Sequence, residues 1–512
     1  MSLVSIEFIV FVIISLLLYY MIPKKYQWIM LLVSSISFYL IGGTTAILYL
    51  IFTTLTTYFA GRLLGKYNKE DKKYADIIKR KKRLVVLVTA LLNFGILFFL
   101  KYWNPVADMI NNALQIEKIN RLELILPLGI SFYIFQSIGY IIDVYRNKYE
   151  PEKNVFKYAL FTSFFPQMVQ GPISRFDSLG NELFSEHKFS WDNLKDGIQL
   201  LMLGYFKKLV IADRAAVVVN AVIGDYKNQS GSVLLVAMIL YCIQLYCDFS
   251  GGIDVTRAVA KMFGITLVDN FKRPIFSTSL TDFWRRWHIS LGSWMKEYLF
   301  FPLSISKPFV ELGRKIRKYI PGRAGKIAPV SIITFIVYFV IGIWHGGSLK
   351  YIAFGLWNGI LITTSLLLEP FFIKVKQKLN ITDKNKLFYI FQIVRTSIIV
   401  LIGRYITRAP RLLDVFDMAK ITFTNFNLSN VFDGTMMNFG ITMTDYIVII
   451  VGTIVILIME AIDEYGIGIK KLVEKQKVIV QWLILMISIL TLTIFGICRG
   501  NYIASEFIYK QF

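Results

Sequence analysis

The chain has 512 residues, 55% of them hydrophobic, and a mean hydropathy of +0.55; that is more apolar surface than soluble cores need, which excludes a water-soluble globular protein. Its 57 Lys and Arg against 34 Asp and Glu give a formal charge of +23, a balance that in a soluble protein would suggest nucleic acid. Here the cations cluster between apolar stretches, at Arg62 to Arg83, Lys307 to Lys326, Lys374 to Lys386 and Lys470 to Lys477, which is the bias that orients membrane proteins and argues against nucleic acid as the partner.

Crossing a hydrocarbon layer of about 30 Å takes roughly 20 apolar residues, and the sequence offers about eleven or twelve candidate stretches. Leu3 to Ile22 has no cationic leader and no small-residue cleavage site, and Pro23-Lys24-Lys25 follows it directly. It is expected to be a retained span rather than a removed signal peptide. Gln27 to Leu40, Thr45 to Ala60, Leu84 to Trp103 and Leu124 to Tyr145 come next. Pro166 to Gly197 interrupts the series with Pro, Gly, charge and aromatics, Leu200 to Val222 and Val233 to Phe249 resume it, and Asp269 to Pro308 interrupts it again around a Trp- and Arg-rich centre. Irregular or amphipathic backbone at membrane depth is tolerated only under a cover of protein or beside a water-filled cavity, so both interruptions are expected to line a site or lie along the interface. Ala328 to His345, Tyr351 to Leu368, Leu387 to Ile406, Tyr446 to Ile462 and Val478 to Cys498 complete the series.

The expected fold is therefore all-α, a polytopic helical membrane protein with about 11–12 spans plus re-entrant or interfacial helices. With the four basic clusters cytoplasmic, both termini, the Gly42-Gly43 turn, Asn104 to Asn120 and Gly346 to Ser348 fall outside. Arg404, Arg408 and Arg411 are the exception, because they too fall on the outer side.

Of the three histidines, His187 lies in a polar stretch and is expected to be solvated without a specific role. His345 closes a strongly apolar run, with Trp344 before it and Gly346-Gly347 after it. An ionisable group there needs a cavity or a partner, and a neutral imidazole is suited to take the proton of a hydroxyl attacking a thioester. The alternative is an interfacial residue capping its helix. His288 stands among Trp284, Arg285, Arg286, Trp287, Trp294, Lys296 and Tyr298, and helical spacing places Trp284, Trp287, His288 and Leu291 on one face. Such a helix is either an interfacial anchor or a site whose cations attract an anionic donor such as the phosphates of coenzyme A while His288 reaches inward.

Asp248 has no evident partner nearby in sequence and is a candidate for a polar network around the site, whereas Asp254 and Arg257 are spaced for a helical ion pair. Cys242, Cys247 and Cys498 show no metal-ligand pattern and read as small apolar helix residues, so no metal is expected. The tail Ser505 to Phe512 is aromatic and amphipathic, either an interfacial anchor or a carrier whose phenol accepts an acyl group.

At these residues the sequence resembles the membrane-bound O-acyltransferase superfamily, and within it the bacterial branch typified by alginate O-acetyltransferases. LPLGISFYIFQSIGYIIDVYR, PQMVQGPISRF, CDFSGGIDVTRAVAKMFGI, FWRRWHISLGSWMKEYLFFPL and GIWHGGSLKYIAFGLWNG carry the resemblance, in order. It implies many transmembrane helices around a funnel-shaped central tunnel, where a cytoplasmic acyl donor meets an acceptor from the other side. It divides the chain into N-terminal helices at 1–122, a catalytic core at 123–406, and C-terminal helices with the tail at 407–512. His345 matches the family's near-invariant histidine and His288 its second functional position, while Gly252 stands where relatives commonly carry Tyr. Phe507, Tyr509 and Phe512 resemble a carboxy-terminal motif of bacterial acyl-export systems in which the Tyr is an acyl carrier.

The expectation is an O-acetyltransferase of the bacterial inner membrane, with acetyl-coenzyme A as donor substrate and no permanently bound cofactor. His345 and His288 are its catalytic residues, Arg285, Arg286, Lys296 and Trp344 bind the donor, and Tyr509 is the acyl relay. The expected partners are membrane lipids, a polysaccharide acceptor and a separate extracytoplasmic transferase of the SGNH type. The rivals are D-alanyl transfer to teichoic acid, a polysaccharide or lipid transporter, and a catalytically silent scaffold of an export complex.

Overall fold

The computed structural model describes residues 1–43, 46–70, 75–115, 119–124, 126–382 and 385–496. Among them there is no β-strand, only helices and an antiparallel bridge between Phe271 and Trp287. Lipid offers the backbone no hydrogen-bond partner, and a helix satisfies its own groups within one segment.

Eight described helices are long and apolar enough to cross a membrane: Ala46–Asn68, Ala75–Leu114, Gly231–Met262, Gly322–His345, Leu349–Lys378, Lys386–Arg408, Met443–Glu464 and Val478–Phe495. Each of the eleven or twelve expected stretches contains helix, but in three of them the helix has only 16 residues, Ile6–Met21, Gln27–Gly42 and Ile130–Tyr145. At about 1.5 Å per residue each is ~24 Å long, short of the hydrocarbon thickness. Leu200 to Val222 is not one α-helix. Trp191–Tyr205 passes into a π-helical run, Phe206–Ala212, and then into Asp213–Gly224, and the widened turn carries Lys207 and Lys208 with both side chains buried.

By packing, the chain divides into two units that interleave in sequence. Among the described residues, Met1–Tyr205 with Gly251–Asp269 forms one, and Phe206–Ser250 with residues 270–496 forms the other.

In the first unit, Ile130–Tyr145 is buried at almost every position, as a helix apolar on all sides must be. Its buried hydroxyl-bearing neighbours are partnered, with Tyr158 donating to Thr57 Oγ1 at 2.8 Å and Thr54 bonded to Thr162 at 2.8 Å. Arg257 pairs with Asp254 at 3.9 Å and more closely with Asp269.

His187 departs from expectation, being half-buried and tied in place rather than solvated. Its Nδ1 shares a 2.9 Å hydrogen bond with the Tyr19 hydroxyl. The Gln27 amide accepts from the His187 backbone N–H at 2.9 Å and donates to its carbonyl at 3.0 Å. Burial pulls the ring's pKa below its ordinary value, against the opposing charge of Glu182.

The second unit is organised around a hairpin of Gly322–His345 and Leu349–Lys378. A Cβ on Gly355 would sit 2.4 Å from the Tyr338 carbonyl oxygen, and one on Gly342 2.6 Å from that of Tyr351. The two backbones therefore meet directly, as small residues permit in membrane helices. This contact holds His345 at the tip of the hairpin. Lys386–Arg408 packs along the second arm. Val478–Phe495 has no buried residue, so its apolar surface is left for lipid.

Candidate active site

The segment around His288 is not the continuous helix that its spacing suggests. Leu280–Arg286 ends, Ile289–Met295 begins, and His288 stands between them with φ 51° and ψ 51°. Residues 270–272 cause the break. The Lys272 N–H donates to the Arg286 carbonyl at 2.9 Å, the Ile289 N–H donates to the Asn270 carbonyl at 3.0 Å, and Phe271 bridges Trp287. Backbone groups engaged in that pairing cannot also continue a helix. The left-handed conformation costs a non-glycine residue ~1–2 kcal/mol, and the bridge on both sides enforces it.

The break turns His288 inward, to 2% exposure. Trp287 and Trp294 are buried too, while Trp284 donates to Asn358 Oδ1 at 3.0 Å. Trp287 and Trp294 are core and Trp284 is half-buried, which favours the inward-facing alternative over the interfacial anchor.

The His288 ring meets the Phe249 ring edge-on at 4.9 Å between centroids, and lies 5.8 Å from Trp344. Trp344 lies 4.9 Å from His345, which also packs against Tyr351 at 6.3 Å and Phe354 at 6.2 Å. The Trp344 indole thus contacts both imidazoles. His345 is the last residue of its helix, half-buried, and a Cβ on the following Gly346 would press within 2.9 Å of the Tyr351 ring.

The basic residues expected to draw an anionic donor differ among themselves. Arg285 and Lys296 are exposed, with Lys296 5.5 Å from the Phe301 ring. Arg286 is engaged by Glu464, with Nη1 at 2.9 Å from each carboxylate oxygen, and by Asp282 at 3.1 Å. Two carboxylates already balance its charge. Tyr509, with Phe507 and Phe512, lies outside the described residues, as does Cys498.

Asp248 belongs to a buried polar cluster. Its Oδ1 lies 2.6 Å from Lys208 Nζ, which is also 2.9 Å from Asp213 Oδ1. Lys208 and Asp213 escape a reading of the sequence that takes Leu200 to Val222 as a plain span, although a lysine pair inside it is itself the signal of buried partners. Arg404 is a second omission. It is 6% exposed, with its guanidinium 5.1 Å from the Trp287 ring and 5.6 Å from that of Phe354. A delocalised cation is attracted by the faces of aromatic rings, and Arg404 lies over two of them. Among the described residues no group of three His, Cys, Asp or Glu side chains is placed to hold a metal ion.

Two imidazoles across an indole, beside a buried guanidinium, can accept and return a proton and stabilise negative charge on a reacting carbonyl oxygen. Residues 152–313, which include His288, match the family model of the membrane-bound O-acyltransferases. The chain is 31% identical over 398 residues to the probable alginate O-acetylase of Pseudomonas syringae pv. tomato, covering 77% of this chain and 70% of that protein. It is 30% identical over 308 residues to the peptidoglycan O-acetyltransferase of Helicobacter pylori, covering 55% of each. The teichoic acid D-alanyltransferase of Bacillus subtilis is 29% identical over 287 residues, covering 54% of this chain and 68% of that one. The resemblance carried by the five sequence blocks therefore holds, and this multi-pass helical protein belongs to the membrane-bound O-acyltransferase family and is an O-acyltransferase.

Proposed function

We propose that the chain takes an acetyl group from acetyl-coenzyme A supplied by the cytoplasm and passes it across the bacterial inner membrane for O-acetylation of an extracytoplasmic cell-envelope or exopolysaccharide. The observation that carries this reading is the placing of His345 at the close of an apolar helix, with His288 on the other side of Trp344. His345 removes the proton of the acceptor hydroxyl as its oxygen bonds to the thioester carbonyl carbon. The C–S bond then breaks, and the imidazolium returns the proton to the departing thiolate, which leaves as coenzyme A. The carbonyl-rich helix end beside His345 stabilises the transient imidazolium by ~0.3–1 kcal/mol. His288 positions donor or acceptor, and Trp344 packs against the donor. Arg285 and Lys296 attract the donor's phosphates, with a smaller contribution from Arg286 because Glu464 and Asp282 already hold it.

Acetyl is favoured over D-alanyl because the relatives at 31% and 30% identity are an alginate O-acetylase and a peptidoglycan O-acetyltransferase. D-alanyl transfer remains the second reading, supported by the teichoic acid relative. In either case the acyl group goes to Tyr509 or directly to an outside hydroxyl, and an SGNH-type partner completes the transfer. The transporter and silent-scaffold rivals lose their ground, because the chain belongs to an acyltransferase family.

Incubation of the purified protein with isotopically labelled acetyl-coenzyme A tests the proposal. Release of free coenzyme A and a labelled acetyl group on Tyr509 or on an added acceptor are expected by mass spectrometry. His345→Ala should lower turnover by ~10²–10⁴-fold, the usual contribution of a positioned general base, with the protein still folded in the membrane. Turnover retained in that variant, or labelling by a D-alanyl donor alone, would overturn it. Tyr509→Phe separates relay from anchor, since normal acetylation in that variant leaves the tail only an anchor.

A further inference from the structure

His288 has two ring nitrogens, and which of them can take a proton is decided by what holds the other. Asn270 is fully buried. Its Oδ1 accepts from the Ser290 backbone N–H at 2.9 Å and from Ser290 Oγ at 2.9 Å, and it lies 3.3 Å from His288 Nδ1. The oxygen and nitrogen of a side-chain amide exchange places easily in any assignment, but here the main chain decides between them. The Ser290 N–H can only donate, so the amide atom facing it is the oxygen.

With an acceptor fixed opposite Nδ1, that nitrogen must carry a hydrogen, since two lone pairs would otherwise face each other. The neutral ring is then the Nδ1–H tautomer, with its basic lone pair on Nε2. Asn270 holds the neighbouring backbone as well, because its carbonyl accepts from the Ile289 N–H at 3.0 Å. Residues 288–290 are thus pinned through both main chain and side chain, and Phe249 and Trp344 pack against the ring.

We propose that Asn270 is a positioning residue that holds the proton of His288 on Nδ1, so that Nε2 is the atom presented to the acyl donor or acceptor. This rests on the acyl-transfer reading above, in which His288 touches a substrate. His345 shares the Trp344 indole with the ring, and Arg404 lies over the adjacent Trp287.

The first test is made on the full chain in lipid nanodiscs with ¹⁵N-labelled histidine, using His288→Gln to assign the His288 signals. At neutral pH the wild type should show a protonated Nδ1 and an unprotonated Nε2, the reverse of the tautomer that free histidine prefers. An Nε2–H ring would overturn the proposal, whatever the activity. The second test is Asn270→Asp, which keeps the acceptor for Ser290 and so the fold, but sets a negative charge beside the Nδ1 hydrogen. The acid limb of its acetyl-coenzyme A turnover profile should move up by about one pH unit or more, as expected for a carboxylate so close to an imidazole. An unmoved limb in a folded variant would reduce Asn270 to a structural cap. Full activity of His288→Gln would instead sink the catalytic reading of His288, and the nitrogen signals distinguish that failure from a wrong tautomer.

Discussion

Replacing Lys208 by Met tests the polar interior of the second unit. The lysine is fully buried, with Nζ 2.6 Å from Asp248 Oδ1 and 2.9 Å from Asp213 Oδ1. Met keeps the apolar stem and approximate volume but leaves two carboxylates with no cation between them. Their oxygens are separated by no more than the sum of the two contacts, about 5.5 Å. Unit charges at that distance repel by ~3 kcal/mol at an effective dielectric of about 20. Removing one member of a buried ion pair costs ~3–5 kcal/mol by experience with such pairs, so the two routes agree on size. Cys247 is buried, and in a Cys242→Ala/Cys498→Ala background it is the sole thiol of the chain. A thiol-reactive fluorophore then follows thermal unfolding in detergent. Lys208→Met should melt several degrees lower, and adding Asp248→Asn should recover the part due to repulsion. A melting temperature within about 1 °C of the parent, or no recovery in the double variant, would refute the reasoning.

Gly355→Leu should separate the hairpin that carries His345, because its Cβ would lie 2.4 Å from the Tyr338 carbonyl oxygen. Thioester turnover should fall by about tenfold or more, while Gly95→Ala, with nothing within 4 Å of the added carbon, should leave turnover unchanged. Arg404→Gln removes the guanidinium lying over Trp287 and Phe354. Turnover should fall by about tenfold or more with the protein still in the membrane, and Arg404→Lys should recover only part of it because the planar stacking is lost. His187 gives the first unit a pH dependence. Its folded pKa lies below the unfolded value, so its neutral form is tolerated and stability is full above about pH 6.5 and declines as pH falls below it. Melting curves between pH 7 and 5 should show that decline, and His187→Asn should flatten it.

What could be read from the sequence follows the range of the interactions involved. Span after span was legible because lipid dictates composition locally, and His345 stood out because an ionisable ring at the close of an apolar run is conspicuous without knowledge of its neighbours. His288 was legible as a candidate but not as a backbone break. The spacing of Trp284, Trp287 and Leu291 is sound helical spacing, and the strand-like pairing that interrupts it comes from Asn270 to Lys272. His187 was misjudged for the same reason, since the polar stretch around it gives no hint of Tyr19 and Gln27, over 150 residues away.

The three arginines that contradicted the charge bias follow the same logic. Arg404 lies buried over two aromatic rings, Arg408 donates to Asn220 Oδ1 at 2.7 Å, and Arg411 pairs with Asp414 at 3.0 Å. The positive-inside rule counts cations of short loops near the ends of spans, whereas Arg404 and Arg408 lie within the Lys386–Arg408 helix, and Arg411 is an exposed side chain paired with Asp414 three residues on. A sequence count gives each of them the same weight as the lysines of a free loop. Once the tertiary contacts are known, Arg404 and Arg408 are better read as groups that organise the second unit than as votes on orientation. Arg404, lying over Trp287 and over the Phe354 that packs against His345, passes from an anomaly of topology to a candidate for the acyl-transfer site.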